Sequence, residues 1–382
     1  MNQKILTALH QRWWITPIVS YIFFSILSAV IASFFISSLT TYSVGHTIPG
    51  YTVYNSHGPT WGSLVSQWDA EWYHDIARYG YETTYDPDSG LITNWAFFPL
   101  YPTLIKLISL TGVPLWLAGT LISFVAGFIG VVVMFKTIYQ RSNSLWLALF
   151  TILPILASPA FFLFQSNYTE GLALLVVAMV LYNIINKRYL WTAGWLLVAS
   201  VTRGIGVPLC VLVAGVLLYD LWKTRRVTWK MVVVGFAAVF AAGFWPLLVG
   251  FTFGRFDMSL HLLSIWGTWV KYPLTIMIGL PLVLLIVQLL ARRLPWEWIL
   301  WTVAYSAYIV GTTVMTTGIM RYLLVSGLSL GALVHITRGK HQRILLSVLL
   351  VALIVFSVVG QIWWQGHIWI HTSDTLISSA VP

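Results

Sequence analysis

Trp14-Ile-Thr-Pro-Ile-Val-Ser-Tyr-Ile-Phe-Phe-Ser-Ile-Leu-Ser-Ala-Val-Ile-Ala-Ser-Phe-Phe-Ile-Ser-Ser38 contains no Asp, Glu, Lys or Arg. A helix needs about 20 apolar residues to cross the hydrocarbon core of a bilayer. This run is longer than a signal-peptide core and lacks a clear small-residue cleavage site, so it reads as a retained first transmembrane helix. The remainder of the 382-residue chain has the same character: 58% of it is hydrophobic, 8% is charged, and the mean hydropathy is +0.83. A domain surrounded by water covers itself with roughly a quarter charged residues. Soluble secreted, cytosolic and nucleic-acid-binding readings are therefore set aside in favour of an integral membrane protein. The single cysteine, Cys210, lies in an apolar run and permits no intrachain disulfide.

Further apolar runs lie near 114–138, 144–164, 171–186, 205–222, 229–253, 272–291, 298–316, 322–337 and 344–364. The interval 189–222 would be about 50 Å long as one helix and is interrupted by Thr202-Arg203-Gly204, so two short spans meeting at Arg203 fit better. The expectation is an all-α polytopic membrane protein of about eleven transmembrane helices, forming a single domain over 1–382. A cytoplasmic N-terminus places Lys4, Arg12, Lys136, Arg141, Lys187, Arg188, Lys223, Arg225, Arg226, Lys230, Arg292, Arg293, Arg338, Lys340 and Arg343 inside, fifteen of the 21 Lys and Arg. Of the 11 acidic residues, only Asp220 and Glu297 fall inside. The formal charge of +10 thus reflects orientation in the membrane rather than a polyanionic partner.

This topology requires residues 97–111 not to cross. The segment is too short, opens on two prolines and carries Lys106, which suits an interfacial or re-entrant helix. A first extracytoplasmic loop over 40–113 with juxtamembrane helices results, and ordered loops of such length are usually functional. Most of the 21 tryptophans are expected to anchor the chain at the lipid interface, with some left to line a sugar or lipid groove.

The loop holds Ser66-Gln-Trp-Asp-Ala-Glu-Trp-Tyr-His-Asp-Ile-Ala-Arg-Tyr-Gly-Tyr81. On a helix Asp69, Trp72, Tyr73 and Ile76 share one face, and Glu71, Asp75 and Arg78 another. Two readings compete. Either Ser66 caps the helix with Asp69 at the third position and Glu71, Asp75 and Arg78 form a solvated face, or the carboxylates carry chemistry. Glu170 follows Ser166-Asn167-Tyr168-Thr169 at an outer span junction, where it also suits a helix N-terminus. Arg203 and Arg321 lie near hydrocarbon, where a guanidinium costs roughly 2.5–3.5 kcal/mol on insertion scales and is usually paired or functional. Asp257 and His261 have metal-ligand spacing, although a local hydrogen bond or an acceptor contact explains them better. Walker, GxGxxG and HExxH patterns are absent. Carboxylates facing membrane-embedded cations suit attack on a lipid phosphate ester, with arginines on the departing phosphate and a carboxylate taking a hydroxyl proton.

Trp68-Asp69-Ala70-Glu71, Ile76-Ala77, Gly80-Tyr81 and Ala96-Phe97-Phe98-Pro99-Leu100-Tyr101-Pro102 resemble, in order, the PIG-V-type mannosyltransferases of the GT-C glycosyltransferase superfamily. Ser158-Pro159-Ala160 leading to Tyr168-Thr169-Glu170, and Ala199 to Gly204, are similar to that family's later elements. The likeness runs over roughly 66–204, with Arg321-Tyr322 a looser match. The resemblance implies a GT-C fold, a polyprenyl- or dolichyl-phosphate mannose donor, and inverting transfer on the extracytoplasmic side. The membrane would be the plasma membrane in a prokaryote and the endoplasmic reticulum in a eukaryote. It makes Asp69 the catalytic aspartate with Glu71 beside it. Arg203, Arg321 and, less centrally, Lys106 are then candidates for the donor phosphate, and Trp72, Tyr168, Glu170, Asp257 and His261 for sugar or acceptor. A divalent cation on Asp69 and Glu71 is left open, no other cofactor is expected, and the acceptor is a glycan, glycolipid or protein. The competing class is a transporter or flippase for a lipid-phosphate or sugar substrate, which would show internal repeats and polar residues at mid-membrane.

Overall fold

The computed structural model describes residues 12–39, 43–48, 51–56, 60–82, 93–254, 294–312, 319–331, 334 and 339–369. The expected span at 272–291, and Asp257 with His261, lie outside the described residues. Among those described, five helices are long and apolar enough to cross a membrane, or six if one bent pair counts as a span. They include α1 (Ile15–Ser33), which matches the run that opened the reading.

The 40–113 segment is not purely helical. Strands β1 (Ser43–Ile48) and β2 (Tyr51–Ser56) pair antiparallel with Ile48 opposite Tyr51. Their β-branched and aromatic residues favour a pleated ribbon over a helix. Then come α2 (Trp61–Val65), α3 (Asp69–Tyr79) and α4 (Leu100–Ser109). Helix α4 has 10 residues, or about 15 Å, too short to span, as its two prolines and Lys106 suggested.

Helix α5 (Leu115–Ser142) is stopped by Asn143 in the left-handed conformation, and Ser144 caps α6 (Leu145–Leu156) through a 3.2 Å bond from the Leu147 N–H. The expected span 144–164 is broken: α6 meets a 3-10 turn, Pro159–Gln165, at 84°. Ser158-Pro159 forces the break, because proline cannot continue the ladder and Ser158 Oγ caps the new turn from Ala160 N–H. The bend returns the chain to the start of α7 (Glu170–Ile185). The interval 189–222 splits as its length required, into α8 (Tyr189–Ala199) and α9 (Gly206–Thr224), with Arg203 in the turn between them. Helix α10 (Trp229–Phe253) packs on α8 and α9, and α11 (Trp296–Thr312) packs on α9.

One expected span is corrected. Residues 322–337 do not make a helix across the described part: α12 is only Ile319–Leu323, and 324–331 is irregular, with Gly327 at φ +72°. Its place is buried protein rather than lipid, which is where irregular backbone survives at membrane depth. Pro154 leaves the Phe150 carbonyl without its helical donor, and Leu330 N–H fills the gap at 2.9 Å. Trp298 Nε1 donates to the Gly327 carbonyl at 2.7 Å and Trp301 Nε1 to that of Val325 at 3.1 Å. Lipid anchoring therefore does not explain these tryptophans; both are fully buried and satisfy carbonyls that no helix serves. The last helix, α13 (Gly339–Trp364), packs on the 3-10 turn and on α1.

Candidate active site

Four short structural accidents meet at one end of the helices: the start of α3, the chain entering α7, the α8–α9 turn, and α12. Asp69 is the first residue of α3, not its third, and Ser66 instead ends α2, so the expected capping box is absent. Trp68 precedes it at φ 60°, a conformation unfavourable for a bulky side chain, and Trp68 Nε1 donates to the Trp369 carbonyl at 2.9 Å. With no side-chain cap, the Asp69 N–H donates to the Tyr168 hydroxyl at 3.1 Å.

The Asp69 carboxylate accepts from Arg321 Nη1 at 2.7 Å. Arg203 Nη1 donates to Glu170 Oε1 at 2.6 Å and to Thr169 Oγ1 at 3.1 Å. Arg321 Nε lies 3.9 Å from the same Glu170 oxygen, so one carboxylate faces both guanidiniums. The Tyr322 ring lies beneath both, 5.1 Å from Arg203 Cζ and 5.0 Å from Arg321 Cζ, and its hydroxyl accepts from Arg321 Nη2 at 3.1 Å. Tyr73 bonds Thr169 Oγ1 at 3.3 Å and closes the floor. Burial, and then the nearby Asp69 charge, keep the Tyr73 hydroxyl protonated far above its usual range.

Glu170 is 1% exposed and sits in the first turn of α7. Both readings of it therefore hold together, since the helix N-terminus and the arginines stabilise one charge. Gly171 permits this approach: a Cβ there would stand 2.1 Å from the Ser123 carbonyl oxygen of α5.

The remaining sequence candidates are placed as follows. Tyr168 is buried, with Arg321 over its ring at 5.9 Å and Trp369 beside it, so it forms a wall that bonds the Asp69 backbone. Trp72 stacks on Phe97 at 5.8 Å. Glu71 and Asp75 are buried, which corrects the solvated face; of that trio only Arg78 is exposed. Two residues apart on a helix, Glu71 and Asp69 point in different directions, and Asp69 is the carboxylate that meets Arg321. Lys106 is exposed on α4, whose buried residues are Tyr101, Pro102 and Ile105. Among the described residues no group of three or more His, Cys, Asp or Glu is gathered as a metal-ligand set.

Sequence reasoning passed over Thr169, Tyr73 and Tyr322. Tyr73 shares a helix face with Asp69, Thr169 stands within the Tyr168-Thr169-Glu170 element, and Tyr322 is signalled only by the looser Arg321-Tyr322 match. The assembled site has two guanidiniums and two carboxylates in contact, beside a helix N-terminus, with Arg321 Nε and Glu170 Oε2 buried and bonded to no described group.

No protein-family model matches the chain, and no curated protein matches it. Its structure is similar to the crystal structure of ArnT from Cupriavidus metallidurans bound to undecaprenyl phosphate, with a TM-score of 0.54 and 17% sequence identity. The match covers 87% of this chain and 63% of that one, so the chain spans less than two thirds of ArnT's length. At this identity the likeness bears on the fold alone, and the fold is similar to that of ArnT.

Proposed function

We propose that the chain is a polyprenyl-phosphate-sugar-dependent glycosyltransferase of the PIG-V type that moves mannose, with inversion, to an extracytoplasmic hydroxyl. The observation that carries this reading is the 2.7 Å contact between Asp69 and Arg321, with Arg203 alongside on Glu170. A carboxylate suited to accept a proton and two cations suited to hold a phosphate lie within one cluster. The ArnT structure, similar in fold, is bound to undecaprenyl phosphate, a ligand of the class the arginines would take. The resemblance of residues 66–81 to the PIG-V-type family supports Asp69 in the role of that family's loop aspartate.

In the reaction, the acceptor hydroxyl gives its proton to Asp69 while its oxygen bonds to the anomeric carbon. The bond from that carbon to the phosphate oxygen breaks on the opposite side, and its electron pair stays on the lipid phosphate. A phosphate ester needs no acid to leave; the guanidiniums stabilise its charge. Arg321 Nη1 takes one acceptor site on Asp69 Oδ2, and a donor phosphate would draw on the same guanidinium. The donor phosphate therefore competes with Asp69 for Arg321, and arrival of the donor frees the base. Glu170 keeps Arg203 in place throughout.

The test is transfer of radiolabelled sugar from polyprenyl-phosphate mannose to membrane-extract acceptors by protein purified into nanodiscs. Transfer by the wild type and none by Asp69→Asn supports the assignment. Transfer retained by that variant removes Asp69 from the chemistry, and a donor that is neither bound nor consumed defeats the reading as a whole.

A further inference from the structure

Two guanidiniums repel each other, yet Arg203 and Arg321 come from separate elements and share both a carboxylate oxygen and the face of one phenol ring. Glu170 supplies one half of this arrangement. Tyr322 supplies the other: its ring is within 5.0 and 5.1 Å of the two guanidinium carbons, and its hydroxyl accepts from Arg321 Nη2. Adjacent residues on a helix do not face each other, so Arg321 has to fold back across Tyr322 to make this contact. The fold-back leaves Nη1 on Asp69 and Nε buried, with no hydrogen-bond acceptor among the described residues.

We propose that Tyr322 is a positioning residue that fixes both guanidiniums as one fork for a phosphate ester, its ring beneath Arg203 and Arg321 and its hydroxyl holding Nη2. The inference rests on the donor-phosphate reading above and adds to it the residue that sets donor affinity. An aromatic face attracts guanidinium without neutralising it, unlike a third carboxylate, so the fork keeps its charge for the anion. When the phosphate displaces Asp69 from Arg321, the ring and hydroxyl of Tyr322, together with Glu170 3.9 Å from Nε, keep Arg321 beside Arg203. The ring contributes more than the hydroxyl because it serves both cations.

The experiment measures binding of undecaprenyl phosphate to the intact protein in nanodiscs, together with donor KM, acceptor KM and kcat. Tyr322→Leu removes the face and should weaken undecaprenyl phosphate about tenfold and raise donor KM in parallel, leaving acceptor KM unchanged. Tyr322→Phe keeps the face and should lose no more than about threefold. Should Tyr322→Leu fail to fold, the Phe variant carries the test: a small rise in donor KM with kcat intact supports the proposal. Unchanged donor affinity with a fall in kcat, in either folded variant, overturns it. If the wild type itself does not bind undecaprenyl phosphate, the donor-phosphate reading fails first; if it binds and Tyr322→Leu binds equally well, only the role of Tyr322 falls.

Discussion

Helix α7 carries ion pairs at both ends, and they differ in kind. At its start Glu170, almost wholly buried, meets Arg203 at 2.6 Å, with Arg321 and Asp69 beside it. About 24 Å away, past its 16 residues, Lys187 meets Asp220 at 2.8 Å with 44% of the lysine side chain exposed. The far pair has a second donor in the Tyr189 hydroxyl and has water at hand. An exposed pair of this sort contributes little, because solvent screens it and two long side chains lose freedom. A buried pair is held by the cost of leaving either charge alone, and low polarity makes that cost high. Charges in such a place are retained for something other than stability, and the cluster at the site end is where chemistry is proposed.

Substitutions can break or sharpen this contrast. Asp69→Asn should have the largest effect, lowering transfer by about 10²- to 10⁴-fold in the nanodisc assay, since a positioned base contributes on that scale. Glu170→Ala should cost about 3–5 kcal/mol of stability, seen as early thermal unfolding by size-exclusion, because it strands Arg203 in a buried site. The double variant Glu170→Ala/Arg203→Ala should recover part of that loss, and strict additivity would mean that the two charges are not coupled. Gly171→Ala leaves every charge in place but pushes α7 off Ser123; a cost of about 1–3 kcal/mol with weakened donor binding is expected. Lys187→Ala should be smallest, within about 1 kcal/mol and with transfer unchanged. A large loss there would erase the distinction between the two ends.

Much of this was legible in the chain because it depends on local arithmetic. Too few charges for a watery surface, an interval too long for one helix at Arg203, and a proline-led segment too short to cross around Lys106 each have one physical solution. That Arg203 and Arg321 would be paired or functional followed from the cost of a guanidinium near hydrocarbon; that Glu170 and Asp69 are their partners did not. What was not legible depends on distant contacts. Helix α3 begins at Asp69 because Trp68 is held in a strained conformation by the Trp369 carbonyl and Tyr168 receives the Asp69 N–H. Residues 324–331 look apolar enough for a span, but Leu330 bonds the carbonyl that Pro154 leaves bare, and Trp298 and Trp301 bond carbonyls within the stretch. Composition points to interfacial anchoring for most tryptophans and cannot single out Trp298, Trp301 and Trp369, which are buried donors to backbone carbonyls. Tyr322 became a site residue only when α12 was seen to turn it beneath both guanidiniums.

The central claim is that Asp69 and a donor phosphate compete for Arg321. Binding of undecaprenyl phosphate to wild type and to Asp69→Asn, measured side by side with transfer, tests it most directly. The account predicts that the asparagine variant binds the lipid phosphate at least as tightly as wild type, because Arg321 Nη1 is released from the Asp69 carboxylate, while transfer is lost. An Asp69→Asn protein that folds and transfers sugar, or that loses transfer only because it no longer binds the lipid phosphate, would contradict it.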